Sequence, residues 1–278
     1  MMNNEIQPVQ TQADVLDVLN RGEIDIQIAT AKQYPRNIQS VLATIRTLAT
    51  MDAETAEDCF YVLRRGNASG NQNVIEGVSV RMAEIIASCW GNIRVQTRII
   101  ANDGKKITAQ AMCHDLESNF AISLTVDRRI TDKYGKTYGE DMQVVTGNAA
   151  AAIAFRNAVL KVIPKAVTKS IVEETKKVAM GQSIDIETSR QNMIQYFQKL
   201  GVTEDQLLAY LDVKSVEEIT KEKIFELRGT ANAIKEGTTT VQETFSAKAE
   251  QSAIAEKAKS KAEELKAKYE ESMKNAKK

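Results

Sequence analysis

Among the residues able to do chemistry, the densest group is DRRITDKYGKTYG, residues 127–139, in which Gly135-Lys136-Thr137 has the form that ends a phosphate-binding loop. Such a loop requires G-x-x-x-x-G-K-[ST] leading into a helix, because the first glycine opens a wrap of backbone N–H groups around the phosphates. Position 130 is Ile130 and Tyr138-Gly139 interrupts any helix, so a nucleotide site is not the reading. What remains is charge and rings. Arg128, Arg129, Lys133 and Lys136 offer cations to phosphates, and Tyr134 and Tyr138 offer faces on which bases stack, the combination used for single strands.

Other reactive groups are sparse. His114, the one histidine, stands between Cys113 and Asp115, and neighbouring residues of a strand point to opposite faces, so the trio does not converge on a metal. No G-x-S-x-G elbow is present for a hydrolase. Asp115 with Glu117 is the one carboxylate pair that a metal-dependent nuclease could use, and a β-turn could carry the same two residues. Binding chemistry is richer. Arg94 and Arg98, with Gln96 between them, fall on the polar side of an alternating segment, and Arg156 interrupts the apolar run AAIAFRNAVL. An arginine there needs an anionic partner, either a phosphate or an internal carboxylate such as Glu84 or Asp115. Arg64, Arg65 and Lys161 complete the set of candidate DNA contacts; no catalytic or metal-ligating residue and no cofactor is expected.

These side chains need a scaffold, and its clearest part is a meander. IRVQTRII, KITAQAMC and FAISLTVD place apolar residues at every second position (Ile93, Val95, Ile99; Ile107, Ala109, Ala111, Cys113; Phe120, Ile122, Leu124, Val126), with Asp103-Gly104 as a hairpin turn. Before it, the spacing predicts helices over NIQSVLATIRTLA, over residues 53–64 behind an Asp52 cap, and over VSVRMAEIIASCW, stopped by Gly91-Asn92. The alternation in EIDIQIA, residues 23–29, predicts a strand, and RRGNASGNQN, residues 64–73, a loop. After the basic loop comes a long alanine-rich helix over residues 146–179, broken or kinked at Pro164. The fold class is therefore α+β: an antiparallel three-stranded β-meander packed against a long helix, β-β-β-α. A small all-α module and a charged helical tail follow.

The division along the chain runs as a flexible N-terminus (1–22), a core (23–180), a helical module (181–245) in which Gly201 closes one helix and Thr203 or Asp205 opens the next, and an Ala/Glu/Lys tail (246–278). The chain has 278 residues, enough for a sizeable core, and its zero net charge hides an asymmetry: −5 over residues 1–59, +6 over 60–177 and −1 over 178–278. A basic middle is what a domain meeting a polyanion needs. Three isolated cysteines, Cys59, Cys89 and Cys113, suit buried thiols in a reducing compartment, and no apolar stretch approaches the roughly 20 residues of a membrane span. The expected location is the cytoplasm.

The order GVSVRMAEIIASCWGN, then a meander with DLESN in its second turn, then a basic loop, then NAAAAIAFRNAVLKVIP, resembles the phage single-strand annealing proteins of the RecT/Redβ type over residues 60–180. The phrases KLGVTEDQLLAYLDVKSVEEITKEKIFELRGTANAIKEG also resemble the small helical module that ends many phage recombination proteins. The resemblance implies ATP-independent binding of single-stranded DNA and annealing of complementary strands in homologous recombination and repair. It also implies a homo-oligomeric ring or filament in a bacterial host cell. Arg156 matches the arginine of the family's helix after the sheet, and Arg128, Arg129, Lys133 and Lys136 fall where the family places basic loop residues. A host single-strand-binding protein or a phage exonuclease is the partner implied for the helical module. Two other classes remain: an oligomeric assembly protein that uses the same arginines between subunits, and a nuclease using Asp115 and Glu117.

Overall fold

The computed structural model describes residues 12–66, 72–132, 134–181 and 185–245. Its chain forms two compact units, each assembled from separated segments. One comprises the chain up to Ala49 and Val80–Val172, and the other Thr50–Ser79 and the chain from Glu173 onward. The expected tail, 246–278, lies outside the described residues.

The first unit is built on the meander. Strands β1 (Phe60–Gly66) and β2 (Gln72–Val78) belong to the other unit; here β3 (Ile93–Asn102), β4 (Lys106–Asp115) and β5 (Phe120–Arg129) pair antiparallel in the order β3-β4-β5. Gly104 (φ 78°) and Asn119 (φ 55°) take the left-handed conformations that the two turns require. On the central strand Ile107, Ala109, Ala111, Cys113 and Asp115 are buried while the intervening residues are more open, as the alternation predicts. Helix α5 (Glu140–Val162) lies across this face and also packs on α4 (Val80–Trp90), whose Val80, Ala83, Ile86, Ala87 and Trp90 are all buried. Small residues let α5 approach the sheet: Ala150, Ala154 and Ala158 are fully buried, and a Cβ on Gly147 would meet Ile107 and Ile99 at an ordinary 3.7 Å. The helix stops at Pro164. Ile163 is extended (φ −88°, ψ 116°), as a residue before proline must be, and α6 (Lys165–Met180) begins immediately after it.

Two elements of this unit differ from expectation or extend it. Helix α2 (Ile38–Ala49) forms as predicted, but EIDIQIA is part of helix α1 (Gln12–Gln33), not a strand, and residues 12–22, expected to be flexible, are helical. The reason is the wider pattern: Ile24, Gln27, Ile28 and Ala31 share a helical face and are the more buried positions, while Ile26, the middle of the apparent alternation, is 69% exposed.

In the second unit, Asp52 caps α3 (Ala53–Asp58), accepting from the Thr55 N–H at 2.7 Å, but the helix ends six residues later instead of reaching Arg64. Phe60-Tyr61-Val62 then opens β1 (Phe60–Gly66), which pairs in register with β2 (Gln72–Val78), so both ends of the expected loop, residues 64–66 and 72–73, are strand, and its middle, 67–71, lies outside the described residues. Aromatic and β-branched residues favour the pleated surface over the helix. Helices α7 (Ile186–Lys199), α8 (Glu204–Leu211) and α9 (Lys221–Lys235) surround a core of Phe197, Leu207, Leu211, Ile219 and Leu227. Gly201 (φ 82°) closes α7, and Thr203 with Gln206 forms a capping box that opens α8. The hairpin packs on α9: Asn232 donates to the carbonyls of Glu57 and Phe60, both at 3.0 Å, and Phe60 meets Phe225 with ring centroids 5.6 Å apart. Residues 50–79 therefore join the helical module, whereas the sequence groups them with the meander.

Candidate nucleic-acid interface

The basic loop is a small, ordered hairpin at one end of the meander. Thr131 bridges Thr137, the Asp132 N–H donates to the Lys136 carbonyl at 2.9 Å, and Asp132 Oδ1 accepts from the N–H groups of Tyr134 (2.8 Å) and Lys136 (2.9 Å). Gly135 (φ 86°) makes the reversal possible. Ile130, the residue that rules out a phosphate loop, is fully buried and anchors the hairpin, its N–H bonded to the Lys105 carbonyl at 2.8 Å. Thr137 Oγ1 donates to the Gly104 carbonyl at 2.8 Å, tying the loop to the β3–β4 turn. That contact gathers cations which lie far apart in the chain. Lys105 and Lys106 of the turn, Arg129 at the end of β5 and Lys136 of the loop are exposed around it, and Tyr134 presents a ring that is 83% exposed.

The carboxylates of this rim are largely committed to local groups. Asp103 accepts from the N–H groups of Lys105 and Lys106, which hold its carboxyl below the usual range. Asp127 accepts from Lys106 Nζ and Thr108 Oγ1, each at 2.6 Å, with the same effect, Lys106 being the larger cause.

Register separates the other candidates. Lys106 faces Arg129, and Ile107 faces Arg128, so Arg129 lies on the outer face while the half-buried Arg128 is on the side of α5. Arg98 is on the outer face, its Nε donating to Gln110 Oε1 at 2.8 Å, about 13 Å along the sheet from Lys106 at the usual strand rise. Arg94, further along the same face, is covered by α1 and bonded to Gln27 and Glu23. Tyr138 is half-buried behind the loop, and Lys133 lies outside the described residues.

Two further candidates lie along α5, and two belong to the other unit. Arg156 is only 6% exposed within α5, its Nε 3.4 Å from Asn157 Oδ1, and Lys161 is exposed near the far end of that helix, about 30 Å along the axis from its start. Of the two carboxylates weighed as partners of Arg156, Glu84 accepts from Arg81 at 2.7 Å and Asp115 is bound by Arg36. Arg64 faces into the helical unit, where it pairs with Glu226, donates to the Tyr210 carbonyl at 2.9 Å and stacks 5.4 Å over the Tyr210 ring. Arg65 is placed in β1 opposite Asn73.

The carboxylate pair of the nuclease reading has a different environment. Arg36, in the link between α1 and α2, grips both oxygens of Asp115 at 2.6 Å, and its Nε and backbone N–H reach Glu117 Oε1 at 3.0 and 2.8 Å. Trp90 Nε1 adds a bond to Asp115 at 3.2 Å, Asn92 Nδ2 one to Glu117 at 2.6 Å, and the guanidinium sits 4.7 Å over the Trp90 ring. Burial works to raise the Asp115 carboxyl, but the bonds from Arg36, Trp90 and the Ser118 backbone outweigh it and hold it at about 2. A carboxylate so fixed accepts no proton at neutral pH. Burial pushes the neighbouring Cys113 thiol up to about 12, with the charge of Asp115 adding to it, so it is no nucleophile. His114 lies on the opposite side of the strand, 3.0 Å from Asn119 Oδ1.

Sequence reasoning missed Lys105, Lys106 and Arg36. The two lysines, one in the Asp-Gly hairpin turn and one opening β4, signal themselves only once that turn is seen to meet the loop, and Arg36 lies 79 residues before its principal partner. No helix among the described residues is long and apolar enough to cross a membrane. No protein-family model, no curated protein and no solved structure matches this chain.

Proposed function

We propose that the meander unit binds single-stranded nucleic acid along its outer face and basic rim, and that the protein anneals complementary DNA strands without catalysis. The observation that carries this reading is the gathering of Lys105, Lys106, Arg129 and Lys136 around the exposed ring of Tyr134 at one end of the sheet. Cations track a phosphate backbone and an exposed ring stacks on bases of any identity, so binding is tolerant of sequence. The order β3-β4-β5-α5, with the basic loop between sheet and helix, supports assignment to the RecT/Redβ type and its annealing core. Annealing then takes place in the bacterial cytoplasm, with the helical module as the part that meets a host single-strand-binding protein or an exonuclease.

Self-association belongs to the same reading. Met142, Val144 and Val145 on the first turns of α5, and Ile99 and Ile100 on the edge strand β3, are 47–63% exposed, and Asn102 joins Gln143 at 3.0 Å between the two elements. Apolar side chains on an unpaired sheet edge suit contact with another copy. They equally favour a second function, an assembly protein that forms oligomers without acting on DNA.

The deciding measurement is fluorescence anisotropy with an oligothymidylate across a salt series, paired with the annealing rate of complementary oligonucleotides. Binding that weakens linearly in log–log salt, with accelerated annealing, is the expected result. No binding at low salt, with oligomers still present, transfers the assignment to the assembly protein.

A further inference from the structure

The outer face of the meander continues beneath α1, and the contact there has an unusual character. Of the described side chains of α1 only Ala31, near its C-terminal end, is buried, so little apolar packing holds the helix down. Toward Asn20 the contact turns polar. Arg94 Nη1 donates to Gln27 Oε1 at 2.9 Å and lies 3.3 Å from Glu23 Oε1. The Arg94 side chain is 10% exposed, and its Nε is buried with no acceptor among the described residues. Beside it a groove of about 510 Å³ runs between the helix and the sheet, lined by Asn20, Ile24, Arg94, Gln96, Arg98 and Gln110. Two arginines and three amides line it, and the Glu23 carboxylate beside Arg94 stands where an anion would bind.

We propose that α1 is an intramolecular competitor for the nucleic-acid path, in which Glu23 holds the place of a phosphate on Arg94 until a single strand displaces the helix. This rests on the single-strand reading above and names its regulation. The C-terminal end of α1 stays anchored: Arg36 grips Asp115 and Glu117, and Asn92 Nδ2 donates to the Tyr34 carbonyl at 2.8 Å. The helix therefore lifts from its N-terminal side, uncovering Arg94 in line with Arg98 and the basic rim. Displacement exchanges one carboxylate for a phosphate, so the cation count of the path rises by one.

The test uses the full chain with Glu23→Gln, and Asp25→Asn as a control that removes the same charge from an exposed position of the same helix. Glu23→Gln is expected to tighten oligothymidylate binding by about threefold to fivefold, the scale of one partly exposed ion pair, while Asp25→Asn changes it by less than about 1.5-fold. Hydrogen exchange on the unsubstituted protein is expected to show faster exchange in α1 and slower exchange in β3 when the oligonucleotide is added. Equal effects of the two substitutions would mean that only net charge matters and would overturn the proposal, as would α1 amides that are slowed or unmoved by the strand. Either result with binding intact leaves the single-strand reading in place, whereas no binding by any form removes both.

Discussion

The two units use arginine in opposite ways. In the helical unit three guanidinium groups are turned inward: Arg64 is held by Glu226 and a carbonyl, Arg228 pairs with Glu57, and Arg190 donates to the carbonyls of Ile219 and Glu217 at 2.9 and 2.5 Å. In the meander unit Arg36 and Arg94 are likewise held by carboxylates of the fold and Arg156 is buried within α5, but Arg98, Arg129, Lys105 and Lys136 stand at the surface. The lesson is that a cation count describes neither unit. What separates a structural arginine from one available to a ligand is whether the fold supplies its carboxylate, and the net charge of a segment does not record that.

The contrast is open to direct attack. The largest effect is expected from Arg36→Ala, which strands Asp115 and Glu117 and should lower stability by roughly 3–5 kcal/mol in urea unfolding followed by circular dichroism. The same network sets an acid limit. Because the folded carboxyl of Asp115 titrates at about 2, below its ordinary 3.8, its contribution is present above about pH 4 and is lost as the pH falls toward 2. Arg36→Ala should flatten that part of the stability profile.

The inward arginine of the helical unit provides the next test. Arg64→Ala should lower stability by roughly 3 kcal/mol while leaving oligonucleotide affinity unchanged once folded protein is compared. Reduced affinity with intact stability would erase the distinction between the units. Gly229→Ala, in the same unit, should destabilise by roughly 1–3 kcal/mol, since the added Cβ falls 2.9 Å from the Val62 backbone nitrogen and α9 would have to retreat from β1.

Effects on binding alone come last. Tyr134→Ala should weaken single-strand binding by roughly 1–3 kcal/mol with stability unmoved, read by anisotropy and thermal melting side by side. Arg129→Ala should act evenly across sequences and reduce the log–log salt slope by about one, the mark of a single lost phosphate contact. If Tyr134→Ala also unfolds the protein, the ring serves the loop and not a ligand.

Local order was far more legible in the sequence than long-range pairing. The meander could be read because β4 alternates without a fault from Ile107 to Cys113 and its turns carry Asp103-Gly104 and Asn119. The break at Pro164 was legible for a covalent reason that no context overrides. Helix α1 was misread because three isoleucines at every second position imitate a strand, and only the addition of Gln27 and Ala31 reveals the helical stripe. Strand β1 was lost to the strength of the Asp52 cap, although Phe60-Tyr61-Val62 is itself a strand signal. Of the rim, the loop residues were visible as a cluster, but Lys105 and Lys106 are brought to it by bonds from Thr137 Oγ1 to the Gly104 carbonyl and from the Ile130 N–H to the Lys105 carbonyl, which no local pattern announces. The inward fate of Arg64 depends on Glu226, 162 residues away, and no local pattern encodes it.

The segmented build of the helical unit sets a timetable for its synthesis. The β1–β2 hairpin leaves the ribosome long before α9, the helix that covers it, and at roughly 5–20 residues per second the intervening stretch of about 150 residues takes roughly 8–30 s. Throughout that interval Phe60 and Val62, buried in the finished protein, lack the cover that α9 gives them, and Val74 and Ile75 remain 47% and 39% exposed even afterwards. The hairpin is thus the segment of the nascent chain that most needs shielding from other strands.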